Sequence, residues 1–232
     1  MDTVMSDDPA YEIIDYAKSN IDRFIRAIEK LSDKNQFVFT IASKSFFRNI
    51  AKHILFFKQI DLIMPCYFYK VIISDLYNLI VNLVEGQVRY AYLDERSIIE
   101  NYTRAIINDQ VHDGHITSQS FEALQGKKYS FDFLETDFSF IKSEYRTSCA
   151  YIHGSTFLNP ELSTVLCECV GGKHIRNINK YFNRIMKLLK IYDQLLISSN
   201  GESINGSFHR EKVFFEYLLG KEMLELLFKT CQ

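Results

Sequence analysis

The chain has 232 residues, 47% of them hydrophobic, with 19 Phe, 14 Tyr and no Trp, enough to bury a sizeable core in one large domain or two small ones. Nine Gly and three Pro are too few for the frequent turns of propellers, sandwiches and barrels, so long helices joined by few loops are expected. A formal net charge of −2 excludes a globally basic nucleic-acid binder and leaves room for a local basic face.

The first residues, "MDTVMSDDPA", lack the basic flank and apolar run of a signal peptide. The stretch "LIMPCYFYKVII" from Leu62 is broken by Pro65 and Lys70 and is too short to cross a bilayer. Five cysteines without a framework spacing fit a reducing compartment. A cytoplasmic protein with no membrane partner is therefore expected.

Helix signals run the length of the chain. Asp8 and Pro9 read as a cap and a first helical residue. Ile14, Ala17, Ile21, Phe24, Ile28 and Leu31 follow at spacings of three and four, one apolar stripe. A second helix is predicted from about Phe37 to Phe57 and a third from about Ile60 to Glu85. Gly86 separates the third from a fourth, Val88 to Asn108, unless the two run on almost continuously. "DQVHDGHITSQS" reads as a loop and Ser118 to Leu124 as a short helix. The next long helix is predicted from about Phe131 to His153, with Leu134, Phe138, Ile141, Tyr145, Ser148 and Ile152 as its buried stripe. "GSTFLNPELSTVLCECVGG" is a long connection with little helical pattern, a kind of segment that often carries function or motion. Lys173 to Ile197 is amphipathic, "SSNGESINGS" reads as a polar turn, and His209 to Thr230 as a last helix. No repeat, low-complexity tract or composition break appears, so a single all-α domain over 1–232, a bundle of long antiparallel helices, is expected.

One segment carries chemistry. In "EYRTSCAYIHGS", Arg146 and His153 stand seven apart. Seven residues make almost two helical turns, which puts both within roughly 20° of each other around the axis. Lys142 and Ser139 extend this face, Cys149 and Ala150 between the pair are small, and Gly154 reads as the C-terminal cap. A histidine titrates near neutral pH and can move a proton. A guanidinium stays charged and can hold a phosphoryl group as negative charge grows on it. The pair suits phosphodiester cleavage, and RNA supplies its own 2′-hydroxyl nucleophile, so no metal or cofactor is required. The structural alternative is a capping histidine and an arginine paired with an acid on a neighbouring helix.

Two further features bear on that pair. Arg96, four after Tyr92 and three before Ile99, falls near an apolar face with Glu100 one turn on. A charge there needs a partner: either the two orient Arg146 or His153, or they form an interhelical ion pair. "GGKHIRNINKYFNRIMKLLK" carries Lys173, Arg176, Lys180, Arg184, Lys187 and Lys190 with no acid. Ile178, Phe182, Ile185 and Leu189 form its buried stripe, and the six cations are expected on the far side, a row able to hold a phosphate backbone or simply to face water.

An all-helical chain with Arg, six residues and His late in a long helix resembles the HEPN superfamily, whose ribonuclease members carry Arg, four to six residues, then His. "RSIIENYTRAI" from Arg96 is similar to an Arg-x-x-x-Glu helix of bacterial HEPN-like families, some linked to phage defence. The resemblance covers about residues 60–200, with helical extensions at both ends. It implies that Arg146 binds the scissile phosphate and His153 is the acid–base residue; Arg96, Glu100 and Thr147 are the candidate supporting residues around them. Active members often have Asn, Asp or His after the arginine; Thr147 stands there and can donate a hydrogen bond. The family implies RNA as partner; from the residues themselves, Lys142 on the Arg–His face and Lys173, Arg176, Lys180, Arg184 and Lys187 of the basic row are the expected RNA contacts. It also implies a homodimer whose two Arg–His pairs face one cleft, and a possible antitoxin or defence-complex partner. The expected activity is that of a toxin or abortive-infection endoribonuclease; the alternative is a non-catalytic HEPN-like module that binds a nucleotide or a protein.

Weaker signals are set aside. His112, Asp113 and His115, or Cys167, Cys169 and His174, do not supply four metal ligands at a known spacing. The "GGK" at 171–173 lacks the rest of a P-loop.

Overall fold

A computed structural model describes residues 9–109, 116–153 and 174–232. Asp8, Gly154, Lys173, the His112–Asp113–His115 cluster, Cys167 and Cys169, and the connection after His153 lie outside them.

Among the described residues the chain is an all-α bundle without strands. Helix α1 spans Pro9–Lys34, α2 Ile41–Ile63, α3 Tyr67–Val84, α4 Val88–Ile107, α5 Ser118–Gly126 and α6 Glu135–His153. Helix α7 spans Ile178–Ser207, α8 Lys212–Leu219 and α9 Lys221–Thr230. No helix among these residues is long and apolar enough to cross a membrane.

Local chemistry sets the boundaries. Thr40 caps α2: its hydroxyl accepts from the Ser43 amide at 3.1 Å, and the Ser43 hydroxyl accepts from the Thr40 amide at 3.2 Å. That cap makes α2 start at Ile41, not Phe37 as predicted, while Phe37 stays buried outside the helix. The expected boundary between the second and third helices near Ile60 also moves. Pro65 has no amide hydrogen to continue the ladder, and the Cys66 amide is satisfied by Asp61 Oδ1 at 2.9 Å. Helix α4 ends close to the predicted residue, with Asn108 in the left-handed region at φ 57°. Gly86, φ 71°, turns the chain between α3 and α4, which pack together as a hairpin.

Two expectations at the carboxyl end are corrected. "SSNGESINGS" is not a turn: α7 runs through it to Ser207, with only Asn200 off helical geometry at φ −129°, ψ 23°. The predicted last helix is two, α8 and α9, broken at Gly220 with φ 94°.

Helix α7 is central, packed against α2, α4 and α9. Its Phe182 stacks on Phe46 of α2 at 4.1 Å, and its Tyr192 on Tyr102 of α4 at 4.9 Å. Helix α6 lies mainly on α4, burying Phe138, Ile141 and Ser148 of the predicted stripe. Tyr145 and Ile152 are half-buried, and Leu134 falls before the helix and is 69% exposed.

Candidate functional site

Arg146 and His153 lie on one helix, α6, and both are exposed. Among the described residues neither has a hydrogen bond or ion pair, and Cys149 and Ala150 between them are half-buried. The helix thus presents a guanidinium and an imidazole on a shared outer face, about 10 Å apart along the axis at 1.5 Å per residue. Ser139 continues this face as an exposed residue, and Lys142, half-buried, donates to Gln125 Oε1 of α5 at 3.2 Å.

Neighbouring charges are spent inside the protein. Arg96 donates from Nε to Glu100 Oε1 at 2.9 Å within α4, and the Tyr145 hydroxyl of α6 donates to the same oxygen at 3.0 Å. Arg96 also lies over the Tyr145 ring, 5.5 Å from its centre. The pair is an intrahelical one that grips the residue before Arg146; it bonds neither Arg146 nor His153. The Thr147 hydroxyl donates to the Ser143 carbonyl at 2.9 Å, so its proton is engaged in its own helix.

The basic helix divides differently from the expected row. Arg176, just before α7, and Lys180, in its first turn, are exposed. Arg184 does not join them: its Nε donates to Glu144 Oε2 at 2.6 Å and its Nη2 to Glu95 Oε1 at 3.4 Å. Its position borders α4 and α6, so it is turned to two buried acids and not to a polyanion. Lys187 is exposed and lies over the Phe140 ring of α6, 4.3 Å from its centre. Lys190 pairs with Glu222 at 2.8 Å.

Burial raises the Glu95 carboxyl to about 8; Arg184 opposes the shift and the Glu144 charge adds to it. Burial thus favours the protonated form of Glu95, and Glu144, at 2.6 Å, is the nearer partner of Arg184. The same desolvation raises Asp94 to about 7 and Asp75 to about 6.

Sequence reasoning missed a buried polar centre. His53 of α2 sets Nε2 2.8 Å from Asp193 Oδ2 of α7 and Nδ1 2.8 Å from the Asn49 carbonyl. Tyr102 of α4 donates to Asp193 Oδ1 at 3.0 Å. A ring nitrogen on each side facing an oxygen acceptor favours the doubly protonated ring, and the Asp193 carboxylate raises the His53 pKa against its burial. A signal was present: His53 and Asp193 interrupt the runs "FFRNIAKHILFF" and "LLKIYDQLLI", where a charge must be partnered.

No group of three or more His, Cys, Asp or Glu suited to a metal ion occurs among the described residues. His174 instead approaches the Asn35 carbonyl at 3.2 Å and the Phe37 ring at 5.5 Å. In comparisons with known proteins, no family model matches this chain, and neither does any curated protein or solved structure.

Proposed function

We propose that the chain is a HEPN-like, metal-independent endoribonuclease working as a homodimer, of the toxin or abortive-infection type. The observation that carries this is the contrast between exposed and engaged charges. Arg96 and Arg184 are satisfied by acids, whereas Arg146 and His153 share an exposed face of α6 with no partner among the described residues.

In the proposed reaction His153 takes the proton from a ribose 2′-hydroxyl, and that oxygen attacks the adjacent phosphorus. Arg146 holds the non-bridging oxygens as charge builds on them. The 5′-oxygen leaves with its bonding electrons and receives a proton from an imidazolium, either the same one or that of the second copy. The products are a 2′,3′-cyclic phosphate and a 5′-hydroxyl end. Exposed Arg176 and Lys180 and the half-buried Lys142 would hold flanking phosphates, with the salt dependence of a backbone contact.

The test is RNA incubated with purified wild type, His153→Ala and Arg146→Ala in the presence of a chelator, with end chemistry determined. Each variant should lose about 100-fold or more of the cleavage rate. Growth arrest and RNA breakdown on expression should vanish together in His153→Ala. Intact RNA with wild type, or equal cleavage by His153→Ala, sinks the reading.

A second reading, a HEPN-like module that binds a nucleotide or protein without cutting, is favoured by the Thr147 hydroxyl, which is bound to its own helix. RNA retained but uncut would select it.

A further inference from the structure

Three helix ends converge on Tyr92. Its ring stacks on Tyr151 of α6 at 3.7 Å and meets Tyr181 of α7 edge-on at 5.6 Å. Tyr92 lies near the start of α4, Tyr151 in the last turn of α6 and Tyr181 in the first turn of α7. These contacts gather the start of α4, the end of α6 and the start of α7 at one end of the bundle. His153 is there, two residues after Tyr151, as are Arg89 one turn before Tyr92, Lys180 beside Tyr181, and Arg176 just before α7. All four are exposed, and among the described residues none of their side chains has a hydrogen bond or ion pair. Glu85, the exposed acid nearest to Arg89 in sequence, does not pair with it. The deeper acids of this region, Glu95 and Glu144, are held by Arg184. On a chain of net charge −2, this end is a local concentration of unpaired cations.

Tyr90 supplies what a row of cations lacks. It follows Arg89 directly, is 55% exposed, and has no hydrogen bond or ring contact among the described residues. Tyr92, Tyr102, Tyr181 and Tyr192, by contrast, are buried in the core. Successive residues of a helix diverge by about 100° around its axis. The Arg89 guanidinium and the Tyr90 ring therefore point to different parts of a ligand and not at each other. A cation for a phosphate and an open aromatic face for a base are the two elements of single-strand binding.

We propose that this end of the bundle binds RNA in single-stranded form, with Arg89, Arg176 and Lys180 holding phosphates and Tyr90 stacking on an unpaired base. The inference rests on the endoribonuclease reading for the kind of polymer and adds its strand form. A strand held by these residues passes the exposed His153 at the end of α6. A duplex fits worse, because its bases are stacked on one another and offer the Tyr90 ring no free face.

The experiment is fluorescence anisotropy of the full chain with a 2′-O-methyl oligouridylate of about ten nucleotides. Methylation removes the nucleophilic hydroxyl, so binding is read whether or not the chain cuts RNA. The single strand should bind about tenfold or more tighter than a 2′-O-methyl duplex of equal charge. Arg89→Gln and Lys180→Gln should each lower the salt slope by about 0.7. Tyr90→Ala should weaken binding about fivefold or more and leave the slope unchanged, because stacking releases no counterions. Tyr90→Phe keeps the ring and should bind as wild type does. Lys221→Gln on α9, away from this end, should change neither affinity nor slope. All these side chains are exposed, so the urea midpoint should stay in place. Equal binding of duplex and single strand, wild-type affinity in Tyr90→Ala, or an unchanged slope in Arg89→Gln would overturn the assignment. Failure of wild type to cut ordinary RNA sinks the endoribonuclease reading and leaves these measurements standing. Loss of the single-strand preference with cleavage intact does the reverse.

Discussion

Arg184 on α7 donates to Glu144 on α6 at 2.6 Å, and the same guanidinium reaches Glu95 on α4. One planar cation therefore joins three helices, and Glu95 is fully buried behind it. Removing the cation leaves Glu144, itself 6% exposed, as a buried charge with no counter-ion. Arg184→Met is expected to destabilise the fold by about 3 kcal/mol, measured as a lower urea midpoint. Arg184→Lys should recover only part of this, because an ammonium cannot reproduce the fork. At matched folded fraction, RNA affinity should not change.

Stability should fall as pH rises from about 5 to about 8. Burial raises Glu95 to about 8, Asp94 to about 7 and Asp75 to about 6. For His53 burial opposes the charge, yet Asp193 and the two ring hydrogen bonds outweigh it, and its pKa is raised as well. All four groups bind protons more tightly folded than unfolded. Their contribution is complete below the unfolded values and is lost as pH passes up through the folded ones. Acids held in salt bridges would give the opposite slope. Urea midpoints at about pH 5, 6.5 and 8 measure the trend. Asp94→Asn should flatten its lower half, since an amide oxygen can still accept the Asn82 bond of 2.7 Å.

The helices were readable wherever the cause was local. Gly86 and Asn108 delimit α4 through their own backbone preferences, and the α1 stripe is a property of spacing. The errors came where a distant contact decided. The run "SSNGESINGS" has turn residues throughout, yet α7 continues because Gly201 and Ile204 are buried and packing overrides propensity. Arg184 sits in a row of cations by sequence, and nothing in its spacing reveals two acids 40 and 89 residues away. Of the candidate site, the shared face of Arg146 and His153 follows from helical period alone. That Arg96 and Glu100 grip Tyr145 instead of either residue follows from how α4 meets α6.

The exposed pair and its neighbours should separate cleanly in stability. Arg146→Ala and His153→Ala are expected to change unfolding free energy by no more than about 0.5 kcal/mol, because neither side chain is buried or bonded among the described residues. Arg96→Ala should cost about 1–2 kcal/mol: it strips the ion pair from Glu100, whose side chain is only 13% exposed, and the cation from the Tyr145 ring. Urea unfolding of the three variants checks this. A large loss in His153→Ala would mean that its activity measurement reports folding.

The seating of α9 on α7 should depend on a glycine for reasons of space. A Cβ at Gly201 would lie 2.4 Å from Thr230 Cγ2 and 3.0 Å from Thr230 Cβ. Thr230 cannot readily rotate its methyl away. Its hydroxyl donates to the Leu226 carbonyl at 3.0 Å and lies 3.0 Å from the Ser130 hydroxyl, so the rotamer is fixed from two sides. Gly201→Ala is expected to destabilise by about 1–3 kcal/mol as the end of α9 is pushed off α7. Thr230→Ser keeps the hydroxyl and deletes the methyl, so it should restore much of that loss in the double variant. The two changes are then non-additive. Additive effects, or a Gly201→Ala protein as stable as wild type, would mean that α9 is not seated on this glycine.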